Sequence, residues 1–475
     1  MKKLKISNKF YYIISEFIIK GSTSGVLFLL SYYFTPVEYG YLNLFNSILT
    51  IACVFTSLNL TRNYITRSYY DETKNISELV STIVSFLLIL SLIEILVLTP
   101  FLFLNKEIAS IPSEFFFWGL IVSISMTLYE IVQSLFIARK EGKLYFVSAL
   151  IHGTIFILMV FSILFLNNSI RIYAFIFGRL ISSLSMSIFS FFYLRKNFKI
   201  KFKINASILL ESLKYSVPLI FSTVSAFLLN YISRFLINSL SGTHYTGAFT
   251  FAQNIAMLPV LLLGAINNSF VPTFYGSLND KKYKSTHQSI IRNSIFFLSI
   301  LVLYCIMIDK LFFIFPANYQ GQKGLVFLFV MSHTFHMGYM IYGNYLYYTK
   351  DTVIIFLSSL GAGLANTFLG YALISQYGNF GGALSTLISY IILFLSYYFF
   401  SYKRFDKKLF SLKAMLLMLL PTNIFLLIYF YTSIITGINI LLAVIGVMAS
   451  LFALTKRGSK IIEEKIISLL RLKFD

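Results

Sequence analysis

The chain has 475 residues, of which 57% are hydrophobic and only 12% charged, with a mean hydropathy of +0.79. Soluble domains carry about 25% charged residues, so a soluble globular fold is excluded, and 8 prolines and 24 glycines are too few for a disordered or fibrous chain. The formal net charge of +21 does not indicate nucleic acid, because the cations lie between apolar spans rather than on one face; positive loops of this kind set the orientation of a multi-span membrane protein.

The first segment, Met1-Lys2-Lys3-Leu4-Lys5, resembles the basic region of a signal peptide. The apolar stretch after it carries Glu16 and Lys20 and lacks a small-residue cleavage site, so it reads as a retained first helix. A hydrocarbon core of about 30 Å needs roughly 20 apolar residues per helix, and on that ruler the chain holds about fourteen spans. Six fall near 10–34, 41–60, 79–104, 115–138, 144–167 and 170–194, and six more near 215–240, 246–272, 290–315, 324–348, 352–375 and 380–402. Two remain, near 411–431 and 435–454. The expected fold is an all-α integral membrane protein. Cys53 and Cys305 both lie in apolar spans, which argues against a structural disulfide or a thiolate metal site.

The loops test this count. With the N-terminus placed in the cytoplasm, the alternate segments Lys2–Lys9, Arg62–Lys74, Arg139–Lys143, Arg195–Lys214, Lys281–Arg292, Lys350, Lys403–Lys413 and Lys456–Lys473 hold about 32 of the 39 Lys and Arg. The opposite side holds about four: Lys106, Arg171, Lys310 and Lys323. A miscounted span would scramble that alternation, so the pattern predicts an even number of spans with both termini in the cytoplasm.

An internal repeat is superimposed on the spans. Gly40, in the Thr35-Pro36-Val37-Glu38-Tyr39-Gly40 loop, and Gly247, in the polar loop Ser241–Gly247, are 207 positions apart, as are Lys143 and Lys350. Six spans per half is an even number, so both halves enter the membrane in the same direction: two parallel repeats with a central site between them. The expected divisions are a first six-helix bundle over 1–205, a second over 206–405, and an extra helix pair with a cytoplasmic tail over 406–475.

Three cations lie inside spans: Lys20, Arg179 and Arg234. Intramembrane charge marks function by default. The bland alternatives are neutralisation of Lys20 by Glu16 one helical turn away, and snorkelling of Arg234 to the outer face. Taken together, the three form a cationic path suited to an anionic head group, with Arg pairing bidentately to phosphate. Glu94 and Glu130, with Asp309 at a span end, are candidate counter-ions or coupling carboxylates. Gln253 and Asn254, followed by Asn267 and Asn268, place amides that either contact glycan or join helices. His333 and His336 stand three apart with no carboxylate nearby in sequence, a spacing that fits cavity lining better than metal. No Walker-type loop is present, which excludes an ATP-driven pump, and no cofactor, metal or nucleophile constellation stands out.

At these residues the chain resembles the polysaccharide-export (O-antigen and teichuronic acid flippase) branch of the multidrug/oligosaccharidyl-lipid/polysaccharide exporter superfamily. The similarity is carried by Leu213-Lys214-Tyr215-Ser216-Val217-Pro218, Ser233-Arg234, Gly247 and Pro272, with the Thr35–Tyr41 loop and the basic loops. Relatives often have Asp-Arg where this chain has Ser233-Arg234, which removes a neighbouring partner from Arg234. The resemblance implies two MATE-like six-helix bundles, alternating access in a bacterial inner membrane, and glycans on undecaprenyl diphosphate as substrates, with glycan polymerase and chain-length machinery as partners. The rival readings are a peptidoglycan lipid-precursor flippase and a drug or cation antiporter. A glycan polymerase or ligase enzyme would carry a large outer loop, which the sequence lacks.

Overall fold

A computed structural model describes residues 8–69, 75–166 and 171–431. The helices are α1 (Asn8–Leu30), α2 (Pro36–Ser57), α3 (Ile76–Leu104), α4 (Ser113–Ala138), α5 (Gly142–Leu166), α6 (Arg171–Phe198), α7 (Ala206–Ser241), α8 (Thr243–Ala256), α9 (Leu258–Asn279), α10 (Tyr283–Leu311), α11 (Lys323–Tyr348), α12 (Thr352–Phe405) and α13 (Leu412–Tyr431). A two-residue hairpin pairs Glu107–Ile108 with Ile111–Pro112, the one sheet among the described residues. Among the described residues eleven helices are long and apolar enough to cross a membrane, while α1 is apolar over Gly21–Leu30. α12 holds two of the expected spans, because Gly378 breaks it with φ 54° and ψ −135°. The arms after the break approach so closely that a Cβ on Gly381 would lie 2.1 Å from the Leu373 carbonyl oxygen. The span expected at 435–454 and the tail lie outside the described residues.

Contacts divide the chain into two compact units, residues 1–227 with 241–247, and residues 228–240 with 248–475. The division therefore falls within α7, whereas the sequence places the join at 205. In the first unit the segment 199–205 is held against α3. Lys201 N donates to Ser81 Oγ (3.2 Å), Lys203 N to Ser85 Oγ (3.1 Å) and Asn205 N to Thr82 Oγ1 (3.2 Å). Asn205 Oδ1 then caps α7 by accepting from Ser207 N and Ile208 N. In the same unit Tyr64, Leu79, Ile83, Ile131, Leu135, Phe136 and Leu194 form a buried apolar core.

Three sequence expectations change. Thr35–Gly40 is not a loop: Thr35 accepts from Glu38 N (3.3 Å) and Glu38 accepts from Thr35 N (2.8 Å), a capping box that starts α2 at Pro36. Gly247 likewise lies inside α8. The cause is the contact between them, where a Cβ on Gly40 would lie 2.4 Å from Thr243 O and one on Gly247 would lie 1.7 Å from Pro36 O. The two landmark glycines let two helix starts touch backbone to backbone. Finally, the span expected at 246–272 is broken at Met257, because Pro259 has no N–H to donate to Ile255 O. Tyr304 Oη donates to that carbonyl instead, at 2.6 Å.

The turns after α4, α9 and α11 share one geometry. Lys140, Lys281 and Lys350 have φ of 57°, 57° and 62°, in the left-handed region that favours glycine. The next amide reaches back five residues in each: Glu141 N to Phe136 O, Lys282 N to Ser277 O, and Asp351 N to Leu346 O. An acid comes directly after the first and third and meets an arginine, Arg139–Glu141 at 3.2 Å and Arg404–Asp351 at 2.8 Å. The local structure thus pairs Lys350 with Lys140, three residues from the Lys143 that the sequence offset selects.

Two outcomes are expected. Tyr304→Phe should destabilise the purified protein by about 1–3 kcal/mol, since it strands a buried carbonyl, and adding Pro259→Ala should recover part of that loss in a thermal double-mutant cycle. Gly247→Ala should lower the thermal midpoint and steady-state level sharply, whereas Gly264→Ala, with nothing within 4 Å, should be silent.

Candidate functional site

Arg179, on α6 in the first unit, is 8% exposed. Its Nη2 donates to Thr23 Oγ1 on α1, and its guanidinium carbon lies 4.3 Å from the Phe156 ring centroid on α5 and 5.7 Å from that of Phe175. Its Nε has no hydrogen-bond partner. Among the described residues Arg179 joins no ion pair; such pairs lie at Arg139–Glu141, Lys282–Asp280, Asp309 with Lys310 and Lys323, and Arg404–Asp351. A cation is thus held in the interior by a hydroxyl and two aromatic faces, each face contributing about 0.5–2 kcal/mol. On α5, His152 is buried with Nε2 unpartnered and its ring 5.2 Å from Tyr129. The hydroxyls of Ser125 and Ser183 meet, and Ser187 donates to the Ser125 carbonyl, which ties α4 to α6 through polar contacts.

Arg234, on α7 in the second unit, is 3% exposed, so it does not snorkel. Its Nε donates to Gln253 Oε1 at 2.8 Å, and Tyr231 lies under the guanidinium at 4.8 Å. Gln253 Nε2 in turn donates to Asn230 O (3.2 Å), and Asn230 Oδ1 accepts from Tyr390 Oη (2.7 Å). The neutral amide of Gln253 supplies the acceptor that a preceding carboxylate would have offered. Both ends of that amide are committed within the protein, so Gln253 joins helices here. Asn254 is half-buried, Asn268 is exposed, and Asn267 Oδ1 accepts from Asn344 Nδ2 at 2.8 Å.

Of the acids, Glu130 accepts from Thr61 Oγ1 (2.7 Å) beside a π-helical turn at Leu60–Tyr64. Glu94 is half-buried on the most lipid-like helix, with Oε2 lacking a partner. Asp309 is buried, paired with Lys323 and accepting from Tyr429 Oη (2.9 Å), so it fastens α13 to α10 and α11. The side chains of Lys20 and Glu16 lie outside the described residues, although both sit on α1. Arg179 and Arg234 belong to different units, and the direct grouping the structure makes is Arg234 with Gln253.

The residues that sequence reasoning missed surround His333 and His336. The His336 ring is parallel to Tyr339 (4.8 Å, 17°) and to Tyr390 (5.3 Å, 17°), and His333 is 6.3 Å from Tyr390. Tyr390 comes from the second arm of α12, about fifty positions away, which no local pattern links to α11. Asn230 stands one turn before Arg234, a spacing that was available to be read. Among the described residues no group of three or more His, Cys, Asp or Glu is assembled to hold a metal ion.

Among the described residues, long apolar helices that bury single arginines and histidines give the architecture of a multi-span membrane protein. The family described as "Polysaccharide biosynthesis protein" matches residues 6–278, more than half of the chain, and the chain belongs to that family. It is 23% identical over 384 residues to a capsular polysaccharide biosynthesis protein, CapF, of Staphylococcus aureus, covering 78% of this chain and 92% of that one. It is 31% identical over 184 residues to the Lsg locus putative protein 1 of Haemophilus influenzae, a match covering 37% of this chain and 45% of that protein. In fold it is similar to the lipid II flippase MurJ in an inward closed conformation, with a TM-score of 0.71 at 17% identity over 96% of this chain and 99% of the other. An inward-facing multidrug resistance MATE family transporter of the MOP superfamily is also similar, with a TM-score of 0.57 at 12% identity, over 86% and 97% of the two chains. The fold is thus the one these two solved transporters share.

Replacing Arg179 by the apolar, similarly long Met should raise the thermal midpoint of the purified protein, because a buried cation with no ion-pair partner among the described residues opposes folding. A lower midpoint would make Arg179 a structural residue.

Proposed function

We propose that the protein is a flippase that carries an oligosaccharide linked to undecaprenyl diphosphate, an O-antigen or capsule repeat unit, across a bacterial cytoplasmic membrane by alternating access. The observation that carries the reading is Arg179: a buried guanidinium with an unpartnered Nε and no pairing carboxylate among the described residues. Such a group lowers its energy when an anion reaches it, and phosphate oxygens fit a guanidinium better than any other common lipid head group. Arg234 is a second buried guanidinium, held by an amide and a tyrosine ring. In this reading Lys20, Arg179 and Arg234 engage the diphosphate in turn, and Glu16, Glu94 and Glu130 serve as counter-ions or coupling groups. An inside-negative potential assists the outward step by about 2.3 kcal/mol per charge per 100 mV. Both termini face the cytoplasm, and a glycan polymerase with chain-length machinery consumes the product outside.

The capsular polysaccharide relative favours a surface-polymer substrate over the lipid II of the structural neighbour, and a drug antiporter would be expected to present acidic rather than basic intramembrane groups. A deletion strain should accumulate a cytoplasm-facing glycan-diphosphate lipid and lose surface polymer while remaining viable. Loss of viability would shift the substrate to the peptidoglycan precursor. Arg179→Ala with Arg234→Ala should reproduce the deletion at normal protein level, and undiminished polymer export from that double variant would sink the site assignment.

A further inference from the structure

The second unit buries hydrogen-bonding capacity that its own fold does not use. His333 is 4% exposed and neither ring nitrogen has a partner; His336 Nδ1 is likewise buried and unpartnered. Native interiors satisfy the large majority of such groups, so three orphaned imidazole nitrogens on adjacent turns of α11 call for a ligand. A metal does not fit, because no third ligating side chain is assembled with them among the described residues.

The surroundings define the ligand's chemistry. His336, Tyr339 and Tyr390 present three rings within 17° of parallel, with centroids 4.8–5.9 Å apart. Two of them, His336 and Tyr339, are half-buried rather than fully enclosed. The rings are fixed from behind: Tyr390 Oη donates to Asn230 Oδ1, and Tyr397, edge-on to Tyr339, shares a hydrogen bond of 3.0 Å with Ser359. The groups on the elements packed around the pair are Tyr231 and Asn230 on α7, Gln253 on α8, Tyr390 and Tyr397 on α12, and Thr334 with its partner Asn423 on α13. The nearest fixed charge, Arg234, reaches the array through Gln253 and Asn230 and not by contact.

An imidazole with one N–H offers one donor and one acceptor, so an anion, which only accepts, would leave the acceptor nitrogen unsatisfied. A cationic ligand would find no carboxylate among these groups. A hydroxyl-bearing ring with an apolar face satisfies both the paired donors and acceptors and the flat aromatic faces. We propose that His333, His336, Tyr339 and Tyr390 form a sugar-binding site for the glycan part of the transported lipid, distinct from the arginines that meet its phosphates. The inference rests on the flippase reading above.

The test uses the full chain in lipid nanodiscs and two probes: the lipid-linked oligosaccharide extracted from the deletion strain, and undecaprenyl diphosphate carrying no sugar. His336→Phe keeps a ring and removes its nitrogens; Tyr339→Leu removes a half-buried ring and serves if the first variant does not fold. Each should weaken binding of the glycan lipid about tenfold, the loss of one hydrogen bond or one stacked face, and leave the sugar-free lipid unchanged. Unchanged affinity for the glycan lipid in both variants overturns the site. Equal losses on both probes also overturn it and assign the rings to packing. If the unsubstituted protein binds both probes alike, the sugar site is wrong while the flippase reading stands; if it binds neither, that reading falls too.

Discussion

Every backbone and side-chain polar group placed at membrane depth must find its partner within the protein, because hydrocarbon supplies none. The other features of this fold stem from that requirement. Serine and threonine hydroxyls along the helices turn back to carbonyls three or four residues earlier, as Ser47 does to Asn43 and Ser332 to Leu328. Where Pro259 deprives Ile255 of its donor, Tyr304 reaches over from the next helix to replace it. Where the chain must reverse between the arms of α12, Gly378 and Gly381 allow the turn and the close crossing.

The same rule gives the orphaned groups their weight. Arg179 Nε and the nitrogens of His333 and His336 are the guanidinium and paired-imidazole members of a set of buried polar atoms left without a partner. Among the described residues Arg179 is solvated by a hydroxyl and aromatic faces, and the neighbours of Arg234 include the neutral amide of Gln253 and the ring of Tyr231. Neutral partners hold a guanidinium in position without cancelling its charge, so its field stays available to an arriving anion. An ion pair in the same place would have to be broken first.

Much of this is legible in the residues. Hydrophobic runs and alternating basic loops reveal the spans, because length and charge are local properties that survive without knowledge of packing. The break in α12 shows in the sequence as two spans separated near Tyr377-Gly378-Asn379. Gly40 and Gly247 stand out as landmarks, but as loop residues; their actual task, contact between helix starts far apart in sequence, depends on tertiary proximity. Gln253 fits either a glycan contact or a helix tie, and only its distance to Arg234 separates the two. The Tyr390 ring beside His336 has no sequence signal at all, since the pairing joins two helices that are each uniformly apolar. Pro272, which the sequence offers as a span end, lies inside α9, which continues to Asn279, while the break at Pro259 is hidden because a missing donor leaves the hydropathy unchanged.

The left-handed lysines of the basic turns carry a consequence for biogenesis. At Lys140, Lys281 and Lys350 the backbone adopts a conformation that a glycine would occupy with less strain, by roughly 1 kcal/mol per site. Choosing lysine therefore weakens each turn in the finished protein. On the cytoplasmic orientation proposed above, lysine provides charge at the moment the nascent helices are oriented, before any turn has formed. The three positions record a compromise between two stages in the life of one chain, in which instructions for insertion are written into joints that the mature fold would rather leave to glycine.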